Sequence, residues 1–238
     1  MFLPCTPLSH RNCVFCLSIQ PKTNGTRFLS GSYDETIRVW DVREREGQGQ
    51  LIEAHSDPVT SVDFNEDGAQ FVSSSFDGVM RVWDTAYLNL LKEVYAPGAP
   101  PMGYAKYTPN GMYILSGTFD STIRLWKKDE TESVFLKEYP SDVSRKDCPY
   151  RNSNFCLPVC FSSDDPDKKM IISGNEDPEH SIVCFQVNGK KSNFETLQGH
   201  KDTVLALDCA PNSGGKDILI SGGGSRDCCV KIWTQMEE

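Results

Sequence analysis

The stretch Ser30 to Asp41, SGSYDETIRVWD, recurs along the chain in near-copies, and that recurrence constrains the fold more than any other feature. The copies are SSSFDGVMRVWD at Ser73 to Asp84 and SGTFDSTIRLWK at Ser116 to Lys127. Looser ones follow, SGNEDPEHSIVCFQ at Ser173 to Gln186 and SGGGSRDCCVKIWT at Ser221 to Thr234. With Trp40, Trp83, Trp126, Phe185 and Trp233 as equivalents, the periods are 43, 43, 59 and 48 residues. A period in the low forties suits a four-stranded unit that cannot bury its apolar face alone and so stacks on its neighbours.

Each copy is coherent by itself. Phe28, Ser30 and Ser32 alternate with Leu29 and Gly31, and Tyr33-Asp34-Glu35 makes a turn. Ile37 and Val39, with Arg38 as their outward partner, lead into Trp40, which predicts two antiparallel strands joined tightly. Asp34 suits the turn because its short carboxylate can cap nearby amides, and Asp77, Asp120 and Asp227 fill the same place. In the fourth copy Asp177 stands further from Phe185, and Pro178 and Glu179 lengthen the turn. His10, Ser30, Asp34 and Trp40 recur as His55, Ser73, Asp77 and Trp83. Such a set imitates a hydrolase triad, but a catalytic site needs no copying, and the expectation is a buried hydrogen-bond chain ending on the indole N–H. The third repeat has Ala99-Pro100-Pro101 where the His should be, so Asp120 and Trp126 must be held otherwise.

These repeats, with Gly199-His200 opening the last, resemble the WD-repeat family. The resemblance implies an all-β propeller with five recognisable blades of four antiparallel strands, at about 10–53, 54–96, 97–139, 155–197 and 198–234. Met1 to Thr6 is expected either to supply a fourth strand to the last blade or, if the chain is part of a seven-bladed ring, to leave the outer blade faces open. Within the family, HRNCVFC, AHSDPVTSVDFNEDG, APPMGYAKYTPNGMYIL and NFCLPVCFS are similar to scaffold subunits of COMPASS-type histone H3 lysine methyltransferase complexes.

Composition narrows the function. A net charge of −9 disfavours a duplex-DNA binder, which must neutralise phosphates, and favours basic partners. No run of 18 apolar residues exists and the start lacks a secretory pattern, so an intracellular protein is expected. Of the ten cysteines, Cys13 and Cys16 lie on one strand facing opposite ways, and Cys156 and Cys160 lie on another. Neither pair has zinc-ligand company. No metal, cofactor or catalytic residue is expected. Asn24-Gly25-Thr26 reads as a hairpin turn, and Gly222-Gly223-Gly224 as a turn rather than a phosphate cradle. The long connection Pro140 to Asn154, with Asp142, Arg145, Lys146, Asp147 and Arg151, and the swollen turn Asp164 to Lys169 are the irregular segments.

Two surfaces follow from the resemblance. One is an arginine-peptide pocket at the channel mouth, where Phe15 supplies one of two aromatic faces and Pro158 replaces the other. Cys156 stands beside the guanidinium, with Phe76 and Phe155 nearby and Thr60 and Gly103 at the same level of neighbouring blades. The other is a groove for an acidic, apolar segment of a partner subunit, at Asn110, Tyr113, Leu125, Lys137 and Asn188. Read from residues alone, the first set equally suits a plain channel lining and the second ordinary surface strands. The resulting expectation is a nuclear, non-catalytic scaffold whose partners are methyltransferase-complex subunits and the histone H3 tail. The alternative is a WD-repeat adaptor of a ubiquitin ligase or an RNA-processing assembly.

Overall fold

The computed structural model describes residues 9–44, 49–128, 135–140, 148, 150–162, 170–187, 194–210 and 218–234. Among these, all regular structure is β. The first blade comprises β1 (Val14–Ile19), β2 (Arg27–Ser32), β3 (Thr36–Asp41) and β4 (Gln50–Glu53), and the second β5 (Val59–Phe64), β6 (Gln70–Ser75), β7 (Val79–Asp84) and β8 (Leu90–Tyr95). The third is formed by β9 (Met102–Tyr107), β10 (Tyr113–Thr118), β11 (Thr122–Lys127) and β12 (Phe135–Tyr139). The fourth is formed by β13 (Val159–Phe161), β14 (Met170–Gly174), β15 (Ile182–Gln186) and β16 (Phe194–Leu197). The fifth has three strands among the described residues, β17 (Val204–Ala210), β18 (Ile218–Gly223) and β19 (Val230–Thr234). The chain is thus an all-β, five-bladed β-propeller protein built from antiparallel sheets. It divides into two compact units, Met1–Tyr107 with Thr131–Ser133 and Thr108–Glu130 with Val134–Glu238. The expected closing strand Met1 to Thr6, the charged residues Asp142, Arg145, Lys146 and Asp147, the turn Asp164 to Lys169, and Asn188 lie outside the described residues.

In the first unit the repeated hairpin forms in the register its alternation dictates, Phe28 opposite Trp40 and Ser30 opposite Arg38. Leu29, Ile37, Val59, Phe64, Phe71 and Trp83 join one buried cluster, and each such side chain contributes about 1.5–3 kcal/mol by leaving water. Phe71 lies parallel to Trp83 with ring centroids 6.0 Å apart, and Phe28 to Trp40 in the same way. The small residue in Ser-Gly-Ser is a packing requirement. A Cβ on Gly31 would stand 2.6 Å from Cys16 Sγ and 2.7 Å from Val59 Cγ1, so glycine lets the inner strand of the next blade approach. In the second unit Cys160, Ile172, Ile182, Cys184, Val204 and Leu219 form the corresponding cluster.

In the first, second, third and fifth blades the residue after the turn aspartate is left-handed. Glu35, Gly78, Ser121 and Cys228 have φ of 70°, 78°, 63° and 49°, and glycine occupies only the second blade's position. The neighbouring carboxylate keeps this turn closed: Thr36 N donates to Asp34 Oδ1 at 3.2 Å and Val79 N to Asp77 Oδ1 at 3.0 Å.

Three expectations need correction. Arg38 does not point outward. It is 3% exposed, and its guanidinium donates to the carbonyl of Gly49 at 3.1 Å, because it turns along its ladder neighbour, the outer strand β4, toward the residue that precedes that strand. Cys156 precedes β13 instead of sharing a strand with Cys160, since the inner strand of this blade has only three residues. Gly222 and Gly223 belong to β18, and only Gly224 opens the turn. The space above Gly223 is already taken by a buried pair, because a Cβ there would stand 2.8 Å from His200 Nδ1.

Candidate interaction surfaces

The repeated polar residues form closed chains. His55 sits between Asp77 Oδ2 at 2.9 Å and Ser73 Oγ at 2.8 Å, and Trp83 Nε1 donates to the same Ser73 Oγ at 2.9 Å. His10, Asp34, Ser30 and Trp40 repeat this arrangement, with Trp40 Nε1 at 2.8 Å from Ser30 Oγ, and so do His200, Asp227, Ser221 and Trp233. Burial would raise the Asp34 carboxyl, but hydrogen bonds from Thr36, the Arg11 amide and His10 outweigh it and bring the pKa to about 2. Burial likewise opposes the Asp77 carboxylate, and His55 and Arg81 overcome it. Desolvation lowers the pKa of His55, which favours the neutral ring. Each serine hydroxyl is engaged by both a histidine and a tryptophan and is buried, Ser30 at 3% and Ser73 and Ser221 at 0% exposed, so these hydroxyls face no solvent.

Where the third repeat lacks the histidine, an arginine takes over. Arg124 donates to Thr118 Oγ1 at 2.7 Å, to Asp120 Oδ2 at 2.7 Å and to Glu138 Oε1 at 2.9 Å, and Trp126 Nε1 still reaches Ser116 Oγ at 2.8 Å. Arg81 bridges Asp77 and Glu93 in the same way. The sequence signal was available: an arginine four residues after the turn aspartate, paired across the ladder with a glutamate, as Arg81 with Glu93 and Arg124 with Glu138. In the first blade Leu51 stands opposite Arg38, and a recess of about 100 Å³ lined by Arg11, Asp34, Thr36, Arg38, Leu51 and Glu53 opens there.

A second polar group, half-buried, escaped sequence reasoning. Asp63 on β5 accepts the Tyr107 amide at 2.9 Å, and Ser18 of β1, which also accepts the Phe64 amide at 3.3 Å, lies beside it. Burial pushes its carboxyl up to about 6.

The residues proposed for the arginine pocket are distributed over both units. In the first, Phe15 is 48% exposed and meets Tyr33 edge-on at 5.7 Å, while Phe76 is half-buried. Thr60 is buried, its hydroxyl occupied by Ser74 Oγ at 2.9 Å and the Met102 carbonyl at 2.8 Å, and Gly103 is buried on β9. In the second, Phe155 is 45% exposed, Cys156 is half-buried with its thiol pushed up to about 11 by desolvation, and Pro158 is buried. The Pro158 carbonyl accepts Ser173 Oγ at 3.3 Å.

The described groove residues, Asn110, Tyr113, Leu125 and Lys137, lie within the second unit. Leu125 is directly opposite Lys137 across β11 and β12, Tyr113 pairs with Lys127, and Asn110 Oδ1 caps its own turn through the Met112 amide at 3.2 Å. The Lys137 ammonium is internally engaged. It donates to the Val187 carbonyl and lies 5.2 Å from the Tyr139 ring centroid, and burial lowers its pKa.

Among the described residues, no group of three or more His, Cys, Asp or Glu is arranged to hold a metal ion. Curated relatives include WD repeat-containing protein 18 from Homo sapiens, 54% identical over 37 residues, covering 16% of this chain and 8% of that protein. The Danio rerio protein of the same name is 46% identical over 52 residues, covering 22% and 11%. Ribosome biogenesis protein WDR12 homolog from Trichoplax adhaerens is 38% identical over 64 residues, covering 27% and 15%. The aligned parts span only a small fraction of these relatives, and they support the WD-repeat class without singling out the methyltransferase scaffolds that the sequence resembles. The profile of the WD domain, G-beta repeat, matches residues 4–41, 48–84, 104–127 and 191–234, more than half of the chain. With that match, and with His–Asp–Ser–Trp chains tying its blades, this protein belongs to the WD-repeat family.

Proposed function

We propose that the chain is a non-catalytic protein-interaction scaffold of a nuclear RNA-processing assembly, of the kind named for its ribosome-biogenesis relative. One observation carries the scaffold reading: the recurring histidine–aspartate–serine sets of His10, His55 and His200 are tied up within their own blades, as at Ser73, which is buried and binds both His55 and Trp83. The side chains offered to solvent are instead aromatic and apolar, among them Phe15, Tyr33, Tyr87 and Phe155. WD-repeat propellers act typically through protein–protein contacts, and a net charge of −9 favours basic protein partners over direct contact with nucleic acid.

A second reading, a subunit of a histone H3 lysine methyltransferase complex, is favoured by the half-exposed Phe15 and Phe155 and by the apolar–cationic pair Leu125 and Lys137 facing across one ladder. Affinity purification of the tagged chain from its own cells, followed by mass spectrometry, separates the readings. Ribosome-assembly proteins support the first and methyltransferase subunits the second. Ubiquitin-ligase subunits would overturn both.

A further inference from the structure

At the position of Tyr33, Phe76 and Phe119 in the first three repeats, the fourth repeat carries Glu176. In the first blade that position makes an aromatic contact, Tyr33 against Phe15. In the fourth blade it makes an ionic one. The Glu176 carboxylate accepts the backbone N–H of Ser153 at 3.0 Å, of Asn154 at 2.8 Å and of Phe155 at 2.8 Å, together with Ser153 Oγ and Asn154 Nδ2, each at 2.8 Å. Three consecutive N–H groups converging on one carboxylate form a nest, the backbone arrangement that binds anions. In the corresponding segments of the first and second blades a histidine stands in place of Ser153 and one amide reaches the turn aspartate, Arg11 N on Asp34 at 2.7 Å and Ser56 N on Asp77 at 3.3 Å.

We propose that Glu176 is the positioning residue of the Ser153–Phe155 loop: its carboxylate is the resident anion of the nest, and this latch presents Phe155 to solvent and keeps the adjoining Cys156 thiol covered. All five partners are donors, so a carboxylate satisfies the loop and an amide cannot. Burial disfavours the charged form of Glu176, yet the donors from Asn154, Phe155 and Ser153 outweigh it and hold its pKa below the ordinary value. The latch can be tested without any ligand. Its bearing on an arginine peptide rests on the second reading above.

The test uses the full chain in three forms, wild type, Glu176→Ala and Glu176→Gln, each checked for folding by circular dichroism. Iodoacetamide alkylation of Cys156 is followed by peptide mass spectrometry, with exposed Cys13 as internal reference, and amide exchange is followed over Ser153–Phe155. Loss of the latch is expected to raise Cys156 alkylation and loop exchange on the order of tenfold in Glu176→Ala, with Glu176→Gln between the two. Sodium formate is expected to return Glu176→Ala toward the wild-type rate by filling the nest, and sodium chloride at equal ionic strength is not. Unchanged alkylation and exchange in either folded variant would overturn the proposal, as would an acceleration that formate and chloride affect equally. An arginine peptide that fails to bind wild type, beside a latch that responds as expected, would remove the peptide reading and leave the latch standing.

Discussion

Replacing Arg124 by Met tests how a blade without its histidine is held. The Arg124 side chain is 4% exposed and makes three charge-assisted or buried hydrogen bonds, to Thr118, Asp120 and Glu138, while its guanidinium lies 5.7 Å from the Phe135 ring centroid. Breaking a buried ion pair costs about 3–5 kcal/mol where the stranded charge stays dry. Asp120 and Glu138 are 29% and 31% exposed and regain water, and Asp120 keeps its bonds from Thr118 and Thr122. The cost of Arg124→Met is therefore reduced to about 2–3 kcal/mol. Arg81→Met should cost less, about 1–2 kcal/mol, because His55 remains on Asp77. Urea titration followed by tryptophan fluorescence reads both, with Trp126 reporting the third blade and Trp83 the second. The reasoning is refuted if Arg124→Met lies within about 0.5 kcal/mol of wild type, the range of an ordinary surface change, or if Arg81→Met proves the costlier of the two.

Glu35→Gly should stabilise the chain by about 0.5–1 kcal/mol, since glycine adopts the observed φ of 70° without the Cβ penalty; an unchanged or lower urea midpoint counts against the strain. The folded-state pKa of Asp63, about 6 against 3.8, means that between these values the folded chain holds a proton the unfolded chain has lost. Its contribution is complete below pH 4 and is lost as pH rises through 6, by up to about 2–3 kcal/mol. Asp63→Asn should therefore gain on wild type across that window, and parallel stability profiles would exclude the effect. An acidic, apolar peptide in the groove must compete with the Val187 carbonyl for Lys137, so Lys137→Glu should weaken binding by only about 1 kcal/mol. Calorimetry giving equal affinities would remove the groove.

The blade architecture was legible because the code is local. Alternating residues, a turn aspartate and a terminal tryptophan fix each hairpin, and Phe28 meets Trp40 in the register the alternation requires. The histidine chains were legible because they recur. What remained hidden depends on contacts between distant segments. Arg38 looked outward by strand parity, yet that parity says nothing of the carbonyl at Gly49 that its guanidinium reaches. Nothing in the sequence singles out Asp63, since its environment arises from Ser18 of β1 and Tyr107 of β9 on either side. Glu176 stood visibly at an aromatic position, but only the folded path of Ser153–Phe155 makes it a ligand. The surface residues carry no periodic signal at all. Phe15, Phe155 and Lys137 came from resemblance, and the structure adds that Lys137 is already engaged while Thr60 and Pro158 are buried.

Quantitative affinity purification of wild type, Ser73→Ala and the double variant Phe15→Ala/Tyr33→Ala tests the scaffold claim most directly. Ser73→Ala leaves the His55 and Trp83 nitrogens without their shared hydroxyl, and should lower stability by about 1–3 kcal/mol while the folded fraction keeps its partners. The double variant removes half-exposed rings, and should keep its stability and lose at least one partner by on the order of tenfold. A double variant that retains every partner, beside a folded Ser73→Ala that loses its biological activity, would contradict the scaffold claim and return the serine–histidine–aspartate sets to chemistry.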